Sequence, residues 1–110
     1  MLAVAGIARI FLHKAPIDLR KGFEGLSALV GEAFNQEVTS GAYFVFLNRR
    51  RVLMKVLYWD SDGLAIWHKR LEKGSFPKRR SDQVLMDRRD FFMMLEGVIP
   101  RRVQKRFKIS

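Results

Sequence analysis

Apolar residues recur with a period of two through the middle of this chain, and with a helical period to either side of it. Ser40-Gly41 opens an extended run from Ala42 to Leu47, rich in Tyr, Phe and Val, and Asn48-Arg49-Arg50 makes a polar turn. Val52 to Trp59 predicts a returning strand. Val52, Met54, Val56 and Tyr58 fall on one of its faces, and Leu53, Lys55, Leu57 and Trp59 on the other. Asp60-Ser61-Asp62-Gly63 is a turn signal, because Asp hydrogen-bonds its own backbone and Gly tolerates positive φ. Leu64 to Leu71 follows as a third strand, with Ala65, Trp67, Lys69 and Leu71 alternating with Leu64, Ile66, His68 and Arg70.

Upstream, Ile7 to Leu12 reads as a strand of imperfect alternation, and Pro16 with Asp18 marks a helix start at which Asp18 is the N-cap. Leu19, Phe23, Leu26, Val30 and Ala33 share one face of that helix. Gly22, Gly25 and Gly31 each weaken it by up to about 1 kcal/mol relative to Ala, so tertiary contacts must hold it. Downstream, Pro77 to Arg80 is a basic loop and Val84 to Met86 a short extended piece. Asp87 caps a second helix through Met94 and Glu96, ending near Gly97 with Pro100 beyond. The expected fold class is α+β: a small, mainly antiparallel sheet, a meander, with two packed helices and a basic C-terminal tail. Residues 1–100 read as a single domain and 101–110 as the tail, with no internal repeat and no linker.

Composition narrows this further. A chain of 110 residues, 48% hydrophobic and 12% aromatic, supports one core but not a core plus a large catalytic cleft. The absence of cysteine excludes disulfides, thiolate metal sites and cysteine nucleophiles. Met1 to Ala8 is apolar, but it is too short for a membrane span, lacks a basic leader and is interrupted by Arg9. A soluble, cytoplasmic protein is expected, without a membrane partner.

Charge changes the picture most. Residues 1–48 carry equal numbers of bases and acids, so residues 49–110 carry the entire formal net charge of +10. The bases are clustered as Arg49-Arg50-Arg51, Lys69-Arg70, Lys78-Arg79-Arg80, Arg88-Arg89, Arg101-Arg102 and Lys105-Arg106. A polyanion attracts such a surface and releases counterions on contact, which makes nucleic acid the first partner to consider.

Asp18-Leu19-Arg20-Lys21-Gly22-Phe23-Glu24-Gly25-Leu26, Asn48-Arg49-Arg50-Arg51 and Lys55-Val56-Leu57-Tyr58-Trp59-Asp60 stand in an order shared with a known family. Asp62-Gly63, the run Trp67-His68-Lys69-Arg70-Leu71-Glu72-Lys73-Gly74, Phe76 and Met94-Leu95-Glu96-Gly97 continue it. Together these motifs, spread over roughly residues 7–99, resemble the TnpB-type accessory proteins of the bacterial insertion-sequence family numbered sixty-six. (The RNA-guided nucleases sharing that name are larger and unrelated.) The resemblance implies a mobile-element protein encoded beside a separate acidic-triad transposase and used in transposition. Two departures stand out: Ser81 to Arg89 is more polar than in the family, and His68 stands where tyrosine is more usual, so that side chain is not chemically essential.

Catalytic chemistry has little support. Asp60 and Asp62 are closely paired carboxylates, with Glu96 an imaginable third ligand, but Asp-Ser-Asp-Gly is equally what a hairpin turn requires. His13 and His68 have no histidine neighbour at metal-binding spacing, and neither a phosphate loop nor a nucleophile elbow occurs. The expectation is a protein that is not an enzyme and holds neither metal nor cofactor. Nucleic acid would meet Arg49, Arg50 and Arg51 on the predicted turn, Lys55, Lys69 and Arg70 on the strands, and Arg101, Arg102, Lys105 and Arg106 in the tail. Arg20 and Lys21 belong to the same set. Placed in the first helical turn they oppose the macrodipole, so they serve phosphate or partner contact, or else pair with Glu24. Tyr58, Trp59 and Trp67 lie among these bases, and could stack unpaired nucleotides, anchor a protein partner, or pack in the core. Two functions follow. The first is a DNA-binding accessory factor assisting the transposase and other element-encoded proteins. The alternative is an adaptor docking on the transposase through an aromatic face without specific DNA recognition.

Overall fold

A computed structural model describes residues 2–78 and 84–96. The strands are β1 (Ile10–Leu12), β2 (Tyr43–Leu47), β3 (Leu53–Asp60), β4 (Gly63–Arg70) and β5 (Leu85–Met86), and the helices are α1 (Phe23–Phe34) and α2 (Arg88–Leu95). They form one sheet in the order β4-β3-β2-β1-β5. The α+β class is therefore present, but the sheet is mixed rather than a simple meander. β2, β3 and β4 pair antiparallel in sequence, whereas β1 lies parallel to β2, with Ile10 beside Tyr43 and Leu12 beside Val45. A parallel neighbour needs a crossover, and α1 supplies it between β1 and β2. β1 is also shorter than the extended run from Ile7, starting only at Ile10.

The period-two pattern has a direct consequence for packing. Met54, Val56 and Tyr58 join Ile10, Leu12 and Val45 on the α2 side, where Phe76, Phe91, Met94 and Leu95 close the cluster. Leu53 and Leu57 join Phe44, Phe46, Leu64 and Ile66 on the α1 side, under Leu26, Val30 and Phe34. Both faces of the sheet are thus covered. Phe44, Phe46, Met54, Val56 and Leu57 have no accessible surface, so truncating any one to Ala would cost about 2–5 kcal/mol.

The first helix begins later than its sequence suggests. Asp18 does accept a backbone hydrogen bond, but from Arg20 N–H, in a turn where Lys21 N–H also bonds Asp18 O. The chain then passes through extended Gly22 (φ −102°, ψ −150°), and α1 starts at Phe23 without a side-chain cap. Leu19 still enters the core, delivered by this loop rather than by the helix. The buried stripe of α1 is Leu26, Val30 and Phe34, whereas Phe23 and Ala33 are exposed, contrary to the five-residue face expected. Asn35 ends the helix in the left-handed region at φ 53°. In α2 the N-cap is the one expected: Asp87 accepts from Arg89 N–H at 2.7 Å. Arg88 ties this helix to the N-terminal segment through the carbonyls of Val4 and Ala5.

Candidate nucleic-acid interface

Because β1 and β2 run parallel and β2 to β4 alternate, one end of the sheet collects the end of β1, the β2–β3 turn and the end of β4. That end is basic. Lys14 follows β1, Arg49 and Arg50 stand exposed at the turn tip, and Lys55, Lys69 and Arg70 lie on the adjoining strand ends. The opposite end carries the β3–β4 turn with Asp60 and Asp62.

The β2–β3 turn is braced rather than floppy. The Asn48 side-chain carbonyl accepts from Val52 N–H at 3.0 Å and Leu53 N–H at 3.1 Å. Arg51 sits at φ 57°, the left-handed region that favours glycine. It is held there from outside: its Nε donates to Phe76 O at 2.9 Å, and Phe76 N–H donates back to Arg51 O at 2.7 Å. Arg49 and Arg50 have no such tie among the described residues. Their guanidinium groups can meet an anion without any bond to another described residue being broken.

Lys55 and Lys69 lie on opposite faces of the sheet. Lys69, on the α2 side, donates to Leu95 O at 3.1 Å, placing a cation on the C-terminal carbonyls of α2, where the macrodipole favours it. Lys55, on the α1 side, donates to Lys21 O at 3.0 Å and anchors the loop that leads into α1. Across the strands Lys55 faces His68, and Arg70 faces Leu53 on the same side. Partial burial, then the positive charges of Lys55 and Arg70, hold His68 below its ordinary pKa. Lys21, Lys55, His68 and Arg70 therefore form one group at this edge of the sheet.

Arg20 and Lys21 precede α1 rather than lying in its first turn, which corrects the dipole argument. Arg20 pairs with Asp18, at 2.6 Å between Nη2 and Oδ2, rather than with Glu24. The guanidinium holds the Asp18 carboxyl down to about 2, and the carboxylate raises Arg20 in return. Glu24 occupies the first turn of α1, the favourable end for an acid. Arg101, Arg102, Lys105 and Arg106, with the rest of the tail, lie outside the described residues, as do Arg79, Arg80, Gly97 and Pro100.

The three aromatics do not make one face. Tyr58 stacks on Tyr43 with ring centroids 5.0 Å apart, and Trp67, opposite Val56, packs against the α2-side cluster. Burial, with Asp60 and Tyr43 nearby, pushes the Tyr58 phenol up. Trp59 is on the α1 side and 36% exposed, so a core role for both tryptophans fails for this one. Phe23 was missed as a surface aromatic. It is 49% exposed, and the signal that could have found it was Gly22, a poor helix residue that marks the helix start just before it.

Asp60 and Asp62 form a hairpin turn, with Ser61 at φ 56° and Asp62 N–H turned back to Asp60 O. Glu96 follows Leu95 near Lys69, about 20 Å along β4 from that turn, so these three acids are not brought together. Among the described residues no group of three metal-ligating side chains is assembled, and no helix is long and apolar enough to cross a membrane.

The chain belongs to the insertion-sequence family described as IS66 Orf2-like proteins, whose pattern matches residues 8–105. It is therefore an insertion-sequence-associated accessory protein, from a family not known as a catalytic one. Among curated relatives it is 33% identical over 100 residues to the uncharacterized protein y4jC of Sinorhizobium fredii, covering 89% of this chain and 86% of that one. It is 27% identical over 110 residues to the uncharacterized protein y4hO of the same organism, covering 98% and 96%. No solved structure matches the chain.

Proposed function

We propose that the protein binds DNA through the basic end of its sheet and assists transposition alongside a separate transposase. The observation that carries this reading is the convergence of Lys14, Lys21, the Arg49-Arg50 tip, Lys55 and Arg70 on one end, from segments far apart in sequence. Charge that merely aids solubility has no reason to be gathered this way, whereas phosphate recognition does. The Arg101-Arg102 and Lys105-Arg106 pairs would extend the same electrostatic contact. The adaptor reading needs a continuous aromatic face, and Tyr58 and Trp67 lie on the other side of the sheet from Trp59. The test is fluorescence anisotropy with a labelled element-end duplex and a shuffled duplex over a salt series. Tighter binding to the element end, kept at physiological salt, would establish sequence reading. Equal, salt-sensitive binding would leave specificity to the transposase, and no binding to either would overturn the proposal.

A further inference from the structure

A phenylalanine that opens an amphipathic helix normally joins its buried stripe, yet Phe23 stays outside the cluster that takes Leu19, Leu26 and Val30. Its surroundings are cationic. Lys21 stands two residues before it and is tied to β3 by the Lys55 hydrogen bond to its carbonyl. The Lys21 side chain is laid against the first turn of α1, since a Cβ at Gly25 would stand 3.1 Å from its Cβ. His68 and Arg70 continue the same side of the sheet onto β4, which among the described residues is an edge strand with no neighbour beyond it. The surface is thus open laterally, positively charged and fitted with one half-exposed ring.

We infer that Phe23, Lys21, Lys55, His68 and Arg70 form a binding site for unpaired DNA, in which the Phe23 ring stacks on a base and the Lys21, Lys55 and Arg70 cations follow the flanking phosphates, with His68 as their polar neighbour. A duplex satisfies only half of this surface, because its bases already stack on one another. An unpaired nucleotide satisfies both halves, since every base has a π-face and every linkage a charge. The inference rests on the DNA-binding reading above and deepens it, by naming which form of DNA this side of the molecule takes.

The test is anisotropy at one fixed salt concentration with a short labelled oligothymidylate, the same strand in a blunt duplex, and an oligouridylate. The expected result is that the single strand binds at least about fivefold more tightly than the duplex. Phe23→Ala should lose about tenfold on the single strand and less than twofold on the duplex, while Phe23→Trp keeps the preference. Arg70 is exposed and without a side-chain partner among the described residues, so Arg70→Gln tests the charged half independently. It should flatten the single-strand salt dependence by slightly less than one unit of slope. A single strand bound no better than the duplex, or unaffected by Phe23→Ala, overturns the inference and leaves DNA binding standing. Tighter binding to oligouridylate overturns the choice of DNA, and no binding to any probe overturns both readings together.

Discussion

Replacing Arg49 and Arg50 together by Gln isolates the charge at the turn tip from the turn itself. Both side chains are exposed and untied among the described residues, whereas the turn is held by the Asn48 side chain and the Arg51–Phe76 exchange, which the substitutions leave intact. Stability should therefore change by less than about 0.5 kcal/mol, visible as a superimposable melting curve. If each guanidinium neutralises one phosphate, the slope of log affinity against log salt should shrink by about 0.9 per residue, so by about 1.8 for the pair. Over a fourfold rise in salt this difference is worth about tenfold in affinity, so wild type should lose about ten times more binding than the variant. Anisotropy with a labelled duplex at a series of salt concentrations measures both slopes directly. Equal slopes with an intact fold would refute the assignment of these arginines to phosphates. A shallower slope with a clearly lowered melting temperature would refute the claim that they carry no structural load.

Arg51 invites a paired test: Arg51→Ala keeps the φ of 57° and loses the bond to Phe76 O, while Arg51→Gly loses the bond but relieves the backbone. Chemical denaturation should find the Gly variant more stable than the Ala variant by about 1 kcal/mol. Lys69→Met removes the cation from Leu95 O and should cost about 1 kcal/mol, read from the same denaturation curves. His68 is a base held below its ordinary pKa, so the folded protein takes up its proton less readily than the unfolded chain. Its share of stability is complete above the unfolded value of 6.5 and is lost as pH falls toward the lower folded value, a dependence that His68→Gln should abolish in melts across pH. Asp18 behaves as an acid held low. Its share is present above 3.8 and lost as pH falls toward about 2, and Asp18→Asn should remove that step.

The strands were legible because a sheet buried on both faces still alternates sides residue by residue. The faces assigned to Met54, Val56 and Tyr58 against Leu53 and Leu57 are those found in the two clusters. The Asp87 cap was legible for a similarly local reason, since the cap is one side chain meeting a backbone N–H two residues on. Asp18 carried the same signal and misled, because its carboxylate closes a turn with Arg20 instead of nucleating a helix. Cap-like residues bond nearby backbone in turns and helices alike, and Gly22, extended here, decides between them. That one displacement moved Arg20 and Lys21 off the helix and left Phe23 at the surface. The parallel pairing of β1 with β2 was not legible, as β1 has only three residues and no periodicity to read.

By itself, then, the sequence determined which segments are extended, which face of each long strand is apolar, and that the net charge lies beyond residue 48. These are properties of neighbouring residues, expressed through side-chain alternation and composition. Which residues meet was left to the tertiary structure. The parallel β1–β2 pair brings Lys14 to the same end as Arg49, Arg50 and Arg70, and the anchoring of Lys21 by Lys55 turns a stretch of loop into one wall of a basic surface. Long-range pairing sets that geometry, because only burial of both sheet faces selects one strand order among the several that the same local pattern allows.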